Sequence, residues 1–507
     1  MTDLFGGSPE PTPSDADTDV QFLDTTLRDG EQAPGVSLSA EEKATIAREL
    51  DSAGVDVVEA GSACTGAGER AAISRVTELG LDATVTSFCR GIRRDIDHAI
   101  DCGVDGVNLV VPASDRHVRR KVDTTREAVV ADTAELVAYA RDHGLWVEVI
   151  GEDGSRADPA FLERLLGAAL DAGATRVCFA DTVGQATPDE TRAAVRRLAA
   201  LGPTSAHTHD DLGLGVTNAL AAVAAGADLV HATVNGIGER AGNAALEELA
   251  VALAEGYGVD TLELERLYGL ARTVADATGV PLPPNKAVVG ENAFTHESGI
   301  HTDGTLKDEA MYEPYPPETV GRGRRLVLGK HAGRAGLRAA LAEHGVEPDE
   351  DVLDAALERV KALAERDRRV TDADLLAVVE DLRGADRERR VELVDLTATS
   401  GGETPTASVR LAVDGDTRVA AGTGCGPVDA AMRAVQDALE VPGIELESYH
   451  VDAITGGTDA VVAVEVEMAH GDRSVSAGAG GPDITRASVE AMVDAVDRLL
   501  VRRERAA

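Results

Sequence analysis

The chain has few aromatic residues, very little lysine and no long apolar run. Phe, Trp and Tyr make up only 3% of its 507 residues, so Ala, Val and Leu must fill any core. Lysine occurs only at positions 43, 121, 286, 307, 330 and 361, which leaves almost all the positive charge to arginine. The formal net charge is −40. Such a balance excludes nucleic acid as a partner, because phosphate binding needs a basic surface, but it leaves room for an arginine-lined pocket for a small anion. Acid spread along the whole chain reads as a solvated, halophilic surface, where salt screens the self-repulsion. The five cysteines, at 64, 89, 102, 178 and 425, form no C-x-x-C pair. This odd, scattered set excludes a disulfide framework and predicts small buried thiols in a reduced cytoplasm. No apolar stretch approaches the roughly 20 residues of a membrane span, so no membrane association is expected.

What is present is a rhythm. Residues 1–18, MTDLFGGSPEPTPSDADT, read as a disordered leader. After them a short Val-rich run, a polar loop and an amphipathic helix ending in glycine recur. Ser39 and Glu42 form an S-x-x-E capping box, Ile46, Ala47, Leu50 and Ala53 share one helical face, and Gly54 supplies a left-handed end. Candidate strands lie at 20–24, 55–61, 83–88, 106–111, 146–150, 175–180, 205–209 and 228–234, with helix-ending glycines at 80, 103, 144, 173, 202 and 226. Eight such units predict an α/β fold, a TIM (β/α)8 barrel over 19–280. A doubly wound open sheet is the competing topology, but no G-x-G-x-x-G opens a helix. From 281 to 388 a Pro- and Gly-rich linker with functional loops leads into a helical subdomain. From 389 to 507 the texture turns strand-rich, and VAAGTGCGPVDAAMRAVQDAL (419–439) resembles VSAGAGGPDITRASVEAMVDAV (475–496). That repeat predicts a C-terminal α+β domain of two β-β-α halves.

Barrel enzymes work at the C-terminal ends of their strands. Those positions read Asp24, Glu59, Ser87 with Arg90, Glu152 with Asp153, Asp181 with Thr182, and His207 with His209. In HTHDD (207–211) the two imidazoles stand at i and i+2, on the same face of a strand. With Asp24 on the neighbouring first strand and Asn243 in GIGERAGN, they predict a mixed N/O metal site for Mn²⁺, Mg²⁺ or Zn²⁺ acting as a Lewis acid. Asn243 could also cap the helix that follows it.

DTTLRDGEQ, HTHDDLGLG, NGIGERAGNAALEE, PPNKAVVGENAFTHESGIH and LGKHAGR closely resemble the Claisen-condensing barrel synthases of acetyl-CoA and 2-oxo acids, which include isopropylmalate, citramalate and homocitrate synthases. The resemblance implies an acyltransferase in branched-chain amino acid biosynthesis. Arg28 would stabilise the charge that develops on the keto oxygen, beside Asp29 at the substrate. Glu152 would belong to the acid–base apparatus, Thr182 would hold the substrate carboxylate, and His301 with Tyr312 would reach in from a second subunit. Asn108 stands at a substrate-binding position where many family members carry histidine, and asparagine cannot exchange a proton near neutrality. EAGSA at 59–63 looks more like archaeal citramalate synthases than isopropylmalate synthases. The expected acceptor is therefore pyruvate, with 2-oxoisovalerate as the alternative and a homocitrate synthase or metal-dependent aldolase or lyase as more distant ones. GTGCGPVDAAMRAV looks like the start of the family's regulatory domain, which implies a homodimer or larger homo-oligomer inhibited by isoleucine or leucine. Gly424, Gly426, Asp459 and Asp483 are its candidate ligand-binding residues, with glycine-rich turns that could offer backbone amides to a carboxylate.

Overall fold

Eight short parallel strands close on themselves in this computed structural model. They are β1 (Gln21–Asp24), β2 (Val57–Glu59), β3 (Thr84–Arg90), β4 (Gly106–Pro112), β5 (Trp146–Glu152), β6 (Arg176–Asp181), β7 (Thr204–Thr208) and β8 (Leu229–Ala232). They pair in chain order as a closed barrel, and β1 meets β8 with Leu23 opposite His231 and Asp24 opposite Ala232. The structure describes residues 20–364, 370, 372–382, 390–400, 404–439, 443–453, 462–470 and 473–505. The leader expected at 1–18 lies outside them.

The helices that follow the strands are α1 (Ala40–Ser52), α2 (Ala67–Thr77), α3 (Arg93–Asp101), α4 (Arg126–Asp142), α5 (Pro159–Asp171), α6 (Pro188–Ala199), α7 (Gly215–Ala224) and α8 (Leu246–Val251). Local chemistry explains their limits. The capping box of α1 forms in full, with Ser39 N–H donating to Glu42 Oε2 at 2.7 Å and Glu42 N–H donating to Ser39 Oγ. Ile46, Ala47 and Leu50 of its inner face are fully buried, and a buried Ile or Leu contributes about 1.5–3 kcal/mol. Gly54 then ends the helix at φ +87°, where a β-carbon would be strained. Gly202, expected to act in the same way, is not left-handed; it lies against Leu170, which a Cβ would approach to 3.1 Å.

Two units emerge from the packing. The first holds the barrel, runs to Phe294 and takes back Pro314–Arg324; the second comprises Thr295–Glu313 and the chain from Arg325 onward. Within the first, α9 (Leu267–Thr278) completes the outer layer, and Phe294 and Tyr315 meet edge-on at 5.5 Å.

In the second unit a two-residue parallel pair, β9 (Thr295–His296) and β10 (Arg325–Leu326), accompanies α10 (Gly299–Lys307). Helices α11 (Arg334–Glu343), α12 (Glu350–Ala364) and α13 (Asp372–Leu382) follow and share a core that includes Leu337, Leu341, Leu353 and Leu375. Next come β11 (Val391–Thr399), β12 (Thr406–Val413), β13 (Asp416–Thr423) and α14 (Pro427–Leu439), then β14 (Ile444–Ala453), β15 (Val462–His470), β16 (Arg473–Gly481) and α15 (Ile484–Arg505). Each repeat is a three-stranded antiparallel sheet followed by a helix, one strand more than the sequence repeat suggests. The extra strand precedes the repeated segment in each half and shares none of its Gly-rich signature. Val409, Leu411 and Val435 of the first half share one core with Val464, Val466 and Val493 of the second.

All five cysteines are free thiols; Cys89, Cys102 and Cys178 are buried as expected, whereas Cys64 is half-buried and Cys425 exposed. Among the described residues no helix is long and apolar enough to cross a membrane.

Candidate metal centre and active-site cleft

After β1 the chain folds back on itself at once: the N–H groups of Arg28, Asp29 and Gly30 all donate to Thr25 O, at 3.0, 2.7 and 3.1 Å. This turn decides which carboxylate meets the imidazoles. Asp24 takes no part in that meeting. Its two oxygens accept from Thr26 N–H and Thr26 Oγ1–H, both at 2.8 Å, and Thr26 Oγ1 in turn accepts from Val234 N–H. Asp24 is thus spent on building the turn, and burial pushes its carboxyl up to about 7. The carboxylate brought to the imidazoles is Asp29, whose Oδ2 lies 3.5 Å from His207 Nε2 and 3.8 Å from His209 Nε2. Possible ligand atoms of Asp29, His207 and His209 all fall within 4.8 Å of one another. The expected set of Asp24, His207 and His209 is corrected accordingly: a side chain on the strand itself is consumed by the turn, and the loop residue five positions on supplies the oxygen.

The rings are set for coordination. His207 and His209 meet edge-on with centroids 4.9 Å apart. His209 Nδ1 lies 3.3 Å from the carbonyl oxygen of Asp181; a proton held there leaves Nε2 with its lone pair toward Asp29, the arrangement usual for a ligating histidine. Burial, with His209 as a secondary cause, holds His207 well below the usual imidazole range, so its ring is neutral. For Asp29, burial acts upward but is outweighed by the Arg28 guanidinium beside it, which holds the carboxylate low. Asn243 pairs with His209 in an isolated backbone bridge. It caps no helix: the residue before α8 is Ala245, with no side-chain cap. Its amide donates to Ile237 O at 3.3 Å, and its Oδ1 is buried without a partner, as is Asp29 Oδ1. Two imidazoles, a carboxylate with one orphaned oxygen and the orphaned amide oxygen of Asn243 fit a divalent cation of intermediate hardness.

Arg28 completes the group. Its Nε donates to Glu59 Oε2 at 2.6 Å and its Nη1 to Asp29 Oδ2 at 3.0 Å, while its guanidinium carbon sits 5.1 Å from the centre of the Phe88 ring. Arg28, Asp29, Phe88, His207 and His209 line a cleft of about 210 Å³, together with Gln32, Val110, Ile150, Glu152, Ala180, Thr182, Glu239 and Arg240. Glu152, at the end of β5, accepts from Lys121 Nζ at 2.5 Å and faces His117 Nδ1 at 3.1 Å. Thr182 Oγ1 accepts from Asp153 N–H at 2.8 Å, which leaves its own proton free to donate. Arg240 ties three loops together, reaching both oxygens of Asp211 and the carbonyl of Thr182. Glu59 was legible as a strand-end acid, but its grip on Arg28 was not. Phe88, Val110, Ile150 and Ala180 read in the sequence as ordinary apolar strand residues.

Not every expected residue reaches the cleft. Asn108 is buried lower in the barrel, where its amide donates to Glu148 Oε2 at 2.8 Å. Glu148 also accepts from Ser205 Oγ–H and pairs with His231 at 3.1 Å. Although burial opposes it, Glu148 lifts His231 to about 10. Asn108 therefore belongs to a polar network inside the barrel and is not a lining residue: its side chain, four positions before the strand's end, falls in a deeper layer. In the second unit, His301 and Tyr312 stack with ring centroids 4.3 Å apart and Tyr312 is 41% exposed. In the C-terminal domain the turn amide expected to be open is taken: Cys425 N–H donates to Asp429 Oδ2 at 2.8 Å, and a Cβ on Gly424 would strike that carboxylate at 2.4 Å. Gly426 faces open space. Asp483 caps α15 through the N–H groups of Thr485 and Arg486. Asp459 lies outside the described residues.

Known families match the chain in three consecutive stretches. Residues 19–274 match the HMGL-like family, 288–368 the homocitrate synthase post-HMGL domain-like family, and 369–500 the LeuA allosteric (dimerisation) domain. The (R)-citramalate synthase CimA of Methanocaldococcus jannaschii is 45% identical over 95% of this chain and 99% of its own length. Proteins of Methanothermobacter thermautotrophicus and Methanopyrus kandleri, which carry the same name provisionally, are 53% and 49% identical over 95% and 97% of this chain, each along 98% of its own length. Alignment of this extent and closeness, on a barrel whose strand ends gather these groups, means that the chain belongs to the citramalate and 2-isopropylmalate synthase family.

Proposed function

We propose that the chain is a citramalate synthase, an acyltransferase that joins the methyl carbon of acetyl-CoA to the keto carbon of pyruvate and, with water, gives citramalate and CoA on the route to isoleucine. The observation that carries this reading is the single oxygen, Asp29 Oδ2, that faces both imidazoles and Arg28 at once, in a chain aligned end to end with a named citramalate synthase. A divalent cation, Mn²⁺, Mg²⁺ or Zn²⁺, would be held by Asp29, His207, His209 and the amide oxygen of Asn243. When bound, it supplies Lewis-acid polarisation of a ketone.

The protein's own groups do the rest. Arg28, braced by Glu59 and Asp29, meets the negative charge that grows on the keto oxygen; a preorganised donor in a water-poor cleft is worth far more there than in water. Thr182, with its proton free, donates to the pyruvate carboxylate. Glu152 is the group nearest the role of removing the methyl proton of acetyl-CoA, which must occur before the carbon–carbon bond forms. Phe88, Val110, Ile150 and Ala180 supply an apolar wall that suits the acceptor's methyl group. His301 and Tyr312 we assign to the cleft of a second copy in a homodimer or larger assembly. The division into a barrel over 19–280, a linker over 281–388 and a regulatory domain over 389–507 goes with this reading, as does feedback inhibition by isoleucine or leucine. Binding of that inhibitor near Gly426 and the cap of α15 would have to use amides other than that of Cys425.

The test is CoA release measured with pyruvate and with 2-oxoisovalerate, before and after chelation. Higher kcat/KM with pyruvate, abolished by chelator and restored by Mn²⁺, supports the proposal. Preference for 2-oxoisovalerate would make the chain a 2-isopropylmalate synthase instead.

A further inference from the structure

Lys43 is among the largest side chains that are fully buried in the protein, on the inner face of α1 beside Ile46 and Ala47. A buried lysine survives only when paired. This one is surrounded: Nζ lies 2.7 Å from Glu31 Oε2, 2.8 Å from Glu69 Oε1, 2.9 Å from Leu27 O and 3.4 Å from Ala60 O. Leu27 directly precedes Arg28, and Ala60 directly follows Glu59. Glu31 is two residues past Asp29, and its other oxygen accepts from Leu38 N–H at 2.9 Å. Glu69, from α2, also accepts from Ser62 N–H at 3.1 Å. One ammonium thus joins the loop that carries Arg28 and Asp29 to the segment that leaves β2 after Glu59. The backbone leaves room for it: a Cβ on Gly61 would meet Glu69 Oε1 at 2.0 Å and Lys43 Nζ at 3.1 Å.

We infer that Lys43 is a positioning residue, a buried strut that sets the Arg28–Asp29 loop against the end of β2 and so fixes the Arg28–Glu59 pair and the aim of the Asp29 carboxylate. Stability alone gives no reason for a charge here, since an apolar residue on the same helical face would pack against Ile46 and Ala47 without desolvating an ammonium and two carboxylates. What an apolar residue could not do is hold Leu27 O and Ala60 O to one point. The inference rests on the proposed function only in taking Arg28 and Asp29 as the working loop.

The test compares wild type with Lys43→Met and with a charge-balanced variant, Lys43→Met with Glu31→Gln and Glu69→Gln, which removes the strut without stranding two carboxylates. Mn²⁺ binding by titration calorimetry is measured without substrates, beside kcat and the KM for acetyl-CoA. The balanced variant is expected to melt cooperatively, to bind Mn²⁺ about 10–100-fold more weakly and to lose kcat by a similar factor, the usual effect of removing an outer support of a metal site, while KM for acetyl-CoA stays within about threefold. A cooperatively folded balanced variant that loses less than tenfold in Mn²⁺ affinity or in kcat overturns the inference. So does one that fails to fold, because Lys43 would then be a folding residue. If wild type itself neither binds Mn²⁺ nor releases CoA, it is the proposed function that fails.

Discussion

Replacing Asp29 by asparagine tests the metal centre most directly, with Asp24→Asn as its partner. Asp29→Asn keeps an oxygen donor of nearly the same size and removes the charge that Oδ2 presents 3.5 and 3.8 Å from the two imidazole nitrogens. Arg28 is not stranded by the change, because its 2.6 Å bond to Glu59 remains, so the fold should hold. Changes in the outer support of a metal site already cost about 10–100-fold in affinity. Loss of the only carboxylate in the cluster should cost at least the upper figure, about 2.8 kcal/mol at 1.4 kcal/mol per factor of ten. Asp24→Asn should behave in the opposite way. Its Oδ1 can still accept from Thr26 N–H, the hydrogen bond from Thr26 Oγ1 is lost because an amide nitrogen cannot accept it, and the cost of about 0.5–1.5 kcal/mol falls on stability. Titration calorimetry with Mn²⁺ and thermal melts of both variants, in the absence of substrates, read the two effects separately. A hundredfold loss of Mn²⁺ affinity in Asp24→Asn, with Asp29→Asn near wild type, would refute the assignment of the carboxylate.

Three further outcomes follow from the geometry. The folded-state carboxyl of Asp24 is raised to about 7 from 3.8, so the native state binds the extra proton; its contribution to stability is complete below pH ~4 and is lost as pH rises through ~7. Melting points of wild type relative to Asp24→Asn should therefore fall across that window, and a constant difference would contradict it. Glu59→Gln keeps a neutral acceptor for Arg28 but removes the buried countercharge; kcat should drop about 10–100-fold with the KM for acetyl-CoA little changed, and steady-state kinetics at saturating metal decide it. Thr182→Val removes both the acceptor for Asp153 N–H and the donor for the acceptor's carboxylate, so the KM for pyruvate should rise about tenfold, equivalent to ~1.4 kcal/mol; an unchanged KM places the carboxylate elsewhere.

Much of the architecture was legible because it follows from short-range chemistry. The capping box at Ser39 and Glu42, the left-handed Gly54 and the Val-rich runs each act over a few residues, and eight repeats of that pattern leave few ways to close a sheet. The two imidazoles were legible for the same reason, since i and i+2 on a strand share a face whatever surrounds them. Asp29 was harder to place. Sequence spacing favoured Asp24, which ends the strand, but Thr26 N–H and Oγ1 claim that carboxylate and the turn on Thr25 O carries the chain back over the barrel mouth. Asn108 misled in a different way: its position in the strand fixes which face it joins, not how deep in the barrel that layer lies.

The amino-acid sequence by itself determined the order of the barrel's strands and helices, its closure, the pair of histidines and the family. Local propensity and periodicity act through neighbouring residues and need no fold to be read. Only the tertiary structure decided which carboxylate faces those histidines, that Asn108 serves the interior network with Glu148, and that Lys43 joins Leu27 O to Ala60 O. Each of these depends on a backbone turn or a layer height that brings residues distant in sequence against one another, and that proximity is a property of the closed barrel, not of any segment of the chain.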